Sequence, residues 1–394
     1  MLNVDLEKCT ACGACINSCS VNALSWRKDE RGFCYPEIEQ TACVKCGLCE
    51  KVCPVNKKEQ LETSDWQQAV YAAYSQDDDI RKSSSSGGVF SILAQYVLQQ
   101  NGIVYGAAFD DQFNVAHIGI KTIEDLPKLR GSKYVQSYIL ETLFAEIKKE
   151  LQQGRLVLFS GTPCQVAGLK LYLQKKYDNL LLADLICHGV PSGKVFSEYL
   201  NHLERKQQAK CTSYNFRDKK KGWKSYFMSA FFSKPYRANA DLDPYMYFFM
   251  RGVFQRPSCY QCQYTSVKRV SDITLADFWG IKPTKTIKDD DKGISLILVN
   301  TPIGAEAFDK CKPLLVWEER KIEEALAGQN HLTTPSPCNQ ELSSRFWSLF
   351  CSEGFDSAVS MHKYSFTQKI KFLMQYYAPW LFLSLKKICK TFKR

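Results

Sequence analysis

The sequence predicts an α/β protein, of the mixed α+β kind, with a small cysteine-rich module at its N-terminus. Two observations support this class. Residues 1–56 contain two cysteine runs of the same spacing. From residue 69 onward, short apolar runs alternate with segments of helical periodicity, which is typical of a layered structure with some parallel strands. A polar segment, residues 57–68, is expected to link the two parts.

The cysteine runs have the spacing of a bacterial two-cluster ferredoxin. Each run is a close triplet followed, after three further residues, by a fourth cysteine, and Pro54 follows the second run. In such modules each triplet binds one 4Fe–4S cube, and the fourth cysteine ligates the other cube. The expected ligand sets are Cys9, Cys12, Cys15 and Cys53 for one cluster, and Cys43, Cys46, Cys49 and Cys19 for the other.

A pair of zinc knuckles or a disulfide framework is the alternative for these cysteines. Zinc sites normally use two separated pairs, so a triplet plus one favours iron–sulfur clusters. Cys34 lies between the runs without a partner at ligand spacing, and we expect it to be a core or loop thiol.

The composition is that of an ordinary globular protein, with 394 residues, 45% hydrophobic and 24% charged. The 18 cysteines would suit a secreted protein, but residues 1–8 do not resemble a signal peptide, and thiolates that hold iron must stay reduced. We therefore expect a cytoplasmic protein. The net charge of +11 is dispersed and accompanies no nucleic-acid-binding motif, so nucleic acid is not an expected partner.

The large catalytic unit is predicted to span residues 69–310, with an N-terminal part of about 69–150 and a C-terminal part of about 151–310. Strands are expected at Gly102–Phe109, Arg155–Ser160, Asn179–Cys187, Lys224–Ser233, Ile273–Ala276 and Gly293–Asn300. Helices are expected at Val89–Gln100, Ser137–Gln152, Gln165–Lys175 and Gly193–Lys206. Ligands of such sheets bind at the carboxyl ends of the strands.

Residues 311–394 are predicted to form a helical extension with a basic end. The stretch Phe372–Leu385 is mostly apolar, and it is followed by Lys386, Lys387, Lys390, Lys393 and Arg394. It is too short to span a bilayer, and Pro379 interrupts it. An apolar stretch that ends in lysines is suited to contact with a membrane surface or a partner protein. A terminal helix that packs on the core of its own chain explains the pattern equally well.

Two strand-to-helix turns and one cysteine pair are the chemically notable features of the large unit. Cys164 lies at the predicted start of a helix, where free N–H groups attract anions or lower the pKa of a thiol. Its turn is therefore a phosphate-binding or cluster-binding loop, the site of a catalytic cysteine, or an ordinary strand-to-helix turn. Cys187 ends the next strand, and Cys259 and Cys262 form a Cys-x2-Cys pair. These thiols form either a third four-thiolate site or a zinc or redox pair beside two core thiols, and spacing alone does not decide.

Arg81–Gly88 and Gly131–Ser137 place hydroxyls and glycines before helices. Such loops suit a pyrophosphate group, but each would equally be a helix cap. The sequence contains no G-x-G-x-x-G fingerprint, so a Rossmann domain is not predicted.

A series of motifs in the large unit resembles the coenzyme F420 hydrogenase/dehydrogenase beta subunit family. They are Ser85–Gly88, Arg130–Ser137, Ser160–Gln165, Asp184 with Cys187–Ser192, Phe216–Lys219 with Gly222 and Trp223, Cys259 with Cys262, and Asp272–Thr274 with Asp277–Gly280. The resemblance implies FAD and a further 4Fe–4S cluster, and by analogy it favours four cysteines as the ligands of that cluster: Cys164, Cys187, Cys259 and Cys262. It places FAD near Ser86, Gly87, Gly88, Ser132, Lys133, Tyr134 and Thr162.

The chain departs from the family pattern at Ser20, where a proline usually follows the first cysteine run; that proline shapes a turn and does not ligate iron. Similar bacterial chains often lie among genes for surface-polysaccharide synthesis in organisms that do not make the deazaflavin coenzyme. The family name is therefore a poor guide to the substrate.

Together these features predict an iron–sulfur flavoprotein oxidoreductase. A ferredoxin-like donor or partner redox subunit would supply the N-terminal clusters, and a small-molecule substrate or deazaflavin-type carrier would be reduced at FAD. His188, Lys133 and Asp277 are the candidates for proton supply or substrate contact. The alternatives are a non-catalytic electron-transfer subunit, a redox sensor and a thiol enzyme that acts through Cys164.

Overall fold

A computed structural model describes residues 5–61, 66–225, 227–361 and 370 of the chain. The N-terminal module contains two short helices and an antiparallel hairpin: α1 (Ala14–Ser18), β1 (Leu24–Lys28), β2 (Cys34–Ile38) and α2 (Leu48–Lys51). The hairpin turn is closed by Asp29, whose carboxylate accepts a hydrogen bond from the Phe33 N–H at 2.8 Å. The hairpin thereby fixes the chain between the two cysteine runs.

The first half of the large unit alternates strands and helices. After a 3₁₀ turn at Lys58–Gln60, its elements are β3 (Ala69–Ser75), α3 (Asp78–Ser83), α4 (Val89–Gln99), β4 (Ile103–Phe109), β5 (Val115–Ile120), α5 (Leu126–Leu129), α6 (Leu143–Gln152), β6 (Val157–Ser160), α7 (Pro163–Leu173), β7 (Leu180–Leu185) and α8 (Gly193–Gln207). Helix α7 begins with a capping box, in which the side chains of Thr162 and Gln165 satisfy backbone N–H groups of the first turn.

The second half begins with a separate antiparallel sheet and then returns to the main sheet. Its elements are β8 (Ser213–Asp218), β9 (Phe227–Phe231), β10 (Pro235–Asn239), α9 (Pro244–Met250), a 3₁₀ turn at Pro257–Gln261, β11 (Ile273–Asp277), β12 (Ser295–Val299), α10 (Pro302–Cys311), a 3₁₀ turn at Lys312–Leu314, β13 (Leu315–Arg320), α11 (Ile322–Gly328), a 3₁₀ turn at Asn330–Leu332, α12 (Gln340–Glu353) and α13 (Phe355–Ser360).

The main sheet has the strand order β13-β3-β12-β11-β7-β6-β4-β5 in the described part of the chain. Its centre, from β11 to β4, is parallel, whereas β12 runs antiparallel to both β11 and β3. The carboxyl ends of β3, β6, β7 and β11 therefore meet at one edge of the sheet, together with the start of β12. The chemically notable turns after β6 and β7 lie at this edge, as expected for a parallel centre.

The mixed α/β class predicted from the sequence is confirmed by this sheet. One difference concerns the region after residue 310, which we expected to be a helical extension. Residues Leu315–Arg320 instead form β13, an edge strand that pairs with β3, and α12 and α13 follow it. An edge strand with one exposed face lacks the continuous apolar run that marks a buried strand. The apolar stretch and basic end after residue 371 lie outside the described residues.

The N-terminal module shares its core with the large unit. Phe33 is fully buried and meets Trp347 of α12 edge to face at 6.0 Å. Cys12, Ala14 and Val52 are buried in one cluster with apolar residues of α6, β6 and α7. The cysteine-rich module is therefore packed into the large unit. None of the helices in the described ranges has the length and apolarity that crossing a membrane requires.

Candidate functional site

The two cysteine triplets of the module adopt the same backbone conformation. Ala11 and Lys45, which precede the second cysteine of each triplet, have φ values of 51° and 56°. Gly13 and Gly47, which follow it, are also left-handed and begin α1 and α2. Equal cysteine spacing is thus accompanied by equal local geometry.

The structure brings together the four cysteines of one predicted ligand set in the module, which we call the inner set; the four cysteines of the other predicted set are called the outer set. The inner set is Cys9, Cys12, Cys15 and Cys53. Burial raises the pKa of Cys12 and Cys15, and negative charge on the other members of the set raises it further. In the outer set, Cys46 is exposed and the other three thiols are half-buried: Cys19, Cys43 and Cys49. The outer set therefore lies closer to solvent.

The structure also brings together the four cysteines of the predicted third site. Cys164 lies in the first turn of α7, Cys187 follows β7, and Cys259 and Cys262 lie in and directly after a 3₁₀ turn. Burial raises the pKa of Cys164 to about 11 and that of Cys259 to about 12, and charge on neighbouring thiolates acts in the same direction. Cys187 interacts in this way with all three of the others.

The donor chemistry of these sets fits iron–sulfur clusters. Every described cysteine is a free thiol. Several buried thiols become thiolates together only where a positive core offsets their charge, and an iron–sulfur core does so. Within the described ranges, no group of three or more His, Cys, Asp or Glu side chains converges closely enough to hold a single metal ion. A 4Fe–4S core is wider than one ion and holds its thiolates farther apart.

The inner and third cysteine sets meet along helix α7. A Cβ added at Gly168, one helical turn after Cys164, would lie 2.9 Å from both Cβ and Sγ of Cys12. Tyr264 is buried beside this contact, and its pKa is raised by burial and by negative charge on Cys164 and Cys12. The inner cysteine set of the module and the third cysteine set of the large unit are therefore immediate neighbours.

A cavity of about 300 Å³ lies at the sheet edge where the strand carboxyl ends meet. This volume is at the lower end of the range for organic ligand sites. Cys164 and Cys187 of the third set contribute to its wall. The wall also contains most of the predicted flavin and catalytic residues: Ser86, Gly88, Ser132, Lys133, Tyr134, Thr162, His188 and Asp277.

Two loops of the cavity wall are joined through serine hydroxyls. Ser132 donates hydrogen bonds from its N–H and its hydroxyl to Oγ of Ser85, at 2.7 and 2.9 Å. Helix α4 begins beside them at Gly88, which caps it without a side-chain hydrogen bond. Arg130 donates to the Ser91 hydroxyl of the same helix at 3.0 Å. Uncapped N–H groups and a nearby guanidinium suit an anionic group such as a pyrophosphate.

Gly87, a predicted flavin contact, is not among the described residues of the cavity wall. A Cβ at this position would lie 2.4 Å from the Ala73 carbonyl oxygen, so the residue must be glycine for its loop to pack against β3. Its N–H donates to Oγ of Ser295 at 3.0 Å. The hydroxyl of neighbouring Ser86 donates to the Ile294 carbonyl at 2.8 Å. Gly87 thus fixes the loop to the sheet, and its contact with flavin stays a prediction.

Lys133 lies in the cavity wall with its ammonium group enclosed. Its Nζ donates to the backbone carbonyls of Leu129, Arg130 and Gly131 at 3.3, 3.1 and 3.3 Å. Burial lowers the pKa of Lys133 to about 7. The group therefore exchanges its proton near neutral pH.

Asp277 and His188 also line the cavity, but they are less suited than Lys133 to supply a proton. The Asp277 carboxylate pairs with Arg217 at 2.8 Å and accepts a hydrogen bond from Nε1 of Trp223 at 2.7 Å. Burial lowers the pKa of His188 to about 4, and its ring centroid lies 4.4 Å from that of His331. Asp277 is engaged by two donors and His188 is neutral at pH 7, so both suit substrate contact better than proton supply.

A smaller chamber of about 170 Å³ adjoins the main cavity and shares His188, Phe249 and Trp279 with it. No Asp, Glu, Lys or Arg is among the described residues that line this chamber. Its wall includes Gln255, whose buried Oε1 has no hydrogen-bond partner. The chamber therefore suits an uncharged group that donates a hydrogen bond.

Sequence patterns did not single out two residues that support the cavity loops. His117 of β5 is buried; its Nε2 donates to the Ser160 carbonyl at 3.0 Å, and its Nδ1 accepts from the Ser137 hydroxyl at 2.8 Å. Lys219 donates from Nζ to the Ser86 carbonyl at 2.7 Å. A single histidine or lysine carries no spacing signal, although Lys219 lies in one of the family-like motifs.

The fold and its cysteine sets define an iron–sulfur electron-transfer protein. Residues 8–57 match the family model described as a 4Fe-4S dicluster domain. Residues 70–143 match the N-terminal model of the coenzyme F420 hydrogenase/dehydrogenase beta subunit, and residues 154–325 match its C-terminal model. These two matches together cover more than half of the chain, which belongs to the coenzyme F420 hydrogenase/dehydrogenase beta subunit family. The resemblance seen in the sequence motifs is confirmed.

Among solved structures, the chain is similar to one in the F420-reducing NiFe hydrogenase complex from Methanosarcina barkeri, which was studied by xenon derivatization. The two chains are 18% identical, the match covers 74% of this chain and 90% of the other, and the TM-score is 0.43. A comparison with curated proteins gives no match.

Proposed function

We propose that this chain is an iron–sulfur flavoprotein oxidoreductase. Electrons from a ferredoxin-like donor or a partner redox subunit enter through the two N-terminal clusters, continue through a third cluster in the large unit and reach FAD in the main cavity. The acceptor is a reducible organic substrate, in surface-polysaccharide metabolism, or a deazaflavin-type carrier. When bound, the clusters move single electrons and the flavin combines two of them into a hydride.

The observation that carries this proposal is the continuity of the sites. Cys46 of the outer set is exposed, which gives an external donor access to the module. Cys12 of the inner set lies against α7, the helix that begins beside Cys164. Cys164 and Cys187 in turn line the cavity. The proposed route thus passes from an exposed cysteine of the module through the inner and third cysteine sets to a ligand-sized cavity.

The residues of the cavity have separate tasks in this proposal. The start of α4 and the loops joined by Ser85 and Ser132 hold the pyrophosphate of FAD. Lys133 holds at Nζ the proton that accompanies hydride transfer, since its pKa is near neutral. The uncharged chamber that contains Gln255 receives the reducible part of the substrate.

Anaerobic purification with iron, sulfide, zinc and flavin quantified together tests the proposal. We expect about twelve iron atoms and one FAD per chain. The Cys164→Ser variant should lose about four iron atoms, because a cluster depends on its four thiolates. Cys338→Ser, which changes an exposed free thiol, should lose none.

Unchanged iron in Cys164→Ser would contradict the third cluster, and a loss of turnover at unchanged iron would instead favour a thiol enzyme. Clusters without any flavin would leave the chain as a non-catalytic electron-transfer subunit. Zinc in place of iron would overturn the whole proposal.

A further inference from the structure

Arg256 is a buried cation that forms no ion pair with a carboxylate within the described ranges. Its side chain is fully buried. Its guanidinium donates hydrogen bonds to the carbonyl oxygens of Cys9 and Cys34, at 2.6 and 2.9 Å, and to Oε1 of Gln136 at 3.3 Å. All three acceptors are uncharged.

Other deeply buried arginines of the chain are neutralised by a carboxylate. Arg81 pairs with Asp290 at 2.7 Å, and Arg269 pairs with Asp184 at 3.0 Å. Because a charge removed from water needs a compensating charge, the same requirement holds for Arg256. The compensating anion must lie among the groups that surround it.

Arg256 joins the inner and third cysteine sets. Its N–H donates to the Val190 carbonyl, and its own carbonyl accepts from the Cys259 N–H, both at 2.9 Å. These bonds fix its backbone within the third set, while its side chain reaches Cys9 of the inner set. Its charge lowers the pKa of Cys164 and Cys259 against the larger raising effect of burial. The guanidinium carbon also lies 4.3 Å from the centroid of the Tyr35 ring, which restricts its position.

We propose that Arg256 is the shared counter-cation of the clusters at the inner and third sites, and that it raises their reduction potentials. Four thiolates around a 4Fe–4S core leave a net negative charge, which grows by one when the cluster accepts an electron, and a fixed cation therefore favours the reduced state. Arg256 keeps its proton throughout, and no bond forms or breaks. This inference rests on the cluster assignment of the proposed function.

Redox titration of the full-length, anaerobically purified protein, followed by electron paramagnetic resonance, tests this role. In Arg256→Gln we expect the equilibrium constant for one-electron reduction of at least one of the two clusters to fall about tenfold, a shift of about 59 mV to more negative potential. Arg256→Lys keeps the charge and should stay within about threefold of the wild type. As a control for the loss of a buried arginine, Arg320→Gln on β13 should leave the potentials unchanged, because Arg320 pairs with Glu318 and Glu324.

Each outcome decides between a counter-cation and a structural tie. Unchanged potentials in Arg256→Gln at full iron content would overturn the counter-cation role and leave the cluster assignment intact. Iron retained in Arg256→Lys but lost in Arg256→Gln would support the role of the charge. Iron lost equally in both variants would mean that the clusters depend on the hydrogen bonds of the guanidinium and not on its charge. That result would overturn the inference. A wild-type protein without a third cluster would overturn the proposed function itself.

Discussion

Adjacent residues in the cavity loops differ in role according to what they touch. Gly87 packs against Ala73 of β3, whereas Gly88 takes a left-handed φ of 91° and opens helix α4 toward the cavity. Lys133 is an ordinary lysine in the sequence, yet burial lowers its pKa to about 7. At this scale the chemistry of a residue depends on its surroundings as much as on its type.

The pH dependence of turnover is a test of Lys133. Its protonated fraction falls as pH rises through about 7, so proton supply from Nζ predicts a rate that is highest below pH 7 and falls about tenfold per unit above it. Lys133→Met should lower the rate by about 10²-fold at pH 6.5 and abolish the fall in rate above pH 7. The measurement is the rate of flavin reoxidation from pH 5.5 to 9, after enzyme that has been reduced and freed of excess reductant is mixed with a quinone as two-electron acceptor.

Lys128→Met is the matched control, because that ammonium is exposed and pairs with Asp125. It should leave both the rate and its pH profile unchanged. A Lys133→Met enzyme whose rate still fell above pH 7 would show that another group supplies the proton.

Helix α7 is the element that connects the module with the cavity. Its capping box fixes the turn that holds Cys164, and Gly168 lies four residues later, about 6 Å along the axis, against Cys12. One helix thus positions Cys164 of the third set and packs against Cys12 of the inner set.

A larger side chain at Gly168 should therefore damage the inner cluster. In Gly168→Val the added atoms would overlap Cβ and Sγ of Cys12, and we expect the loss of about four iron atoms per chain or a changed resonance signal of one cluster. Gly193→Ala at the start of α8 is the control, since a Cβ there meets only the Tyr138 hydroxyl at 3.4 Å. Full iron and unaltered spectra in Gly168→Val would refute the close contact.

The molecule as a whole combines a cysteine module and an α/β unit in a common core. Phe33 comes from the module hairpin, but it belongs to one buried cluster with Val195 of α8, Phe254 and Trp347. Arg31 and Ser192 are also joined across the boundary, since the Ser192 hydroxyl donates to the Arg31 carbonyl at 2.5 Å. The hairpin of the module is thus fixed to the large unit.

This shared core predicts that the module and the large unit unfold together. Phe33→Ala should lower the free energy of unfolding by about 3–5 kcal/mol, because it leaves a cavity between the two parts. Cluster absorbance and far-ultraviolet circular dichroism should be lost in one transition. Val21→Ala, at an exposed position of the module, should change stability by less than about 0.5 kcal/mol. Two separate transitions in the wild type would contradict a common core.

The class of the fold and the cluster chemistry of the N-terminal module followed from local patterns. Cysteine spacing is read directly along the chain, and the apolar runs at β4, β6 and β7 are continuous because parallel central strands are buried on both faces. Edge strand β13 and the small sheet of β8, β9 and β10 lack such runs, so their positions were not predictable in the same way.

The sequence by itself determined that this chain carries a 4Fe–4S dicluster module on a beta-subunit α/β unit, because ligand spacing and strand–helix alternation are local properties. Tertiary structure alone decided that the inner cysteine set faces Cys164, that Arg256 is buried between these sites, and that Lys133 titrates near pH 7. Those features depend on contacts between residues far apart in the chain, where burial and charge are set by packing and leave no spacing signal.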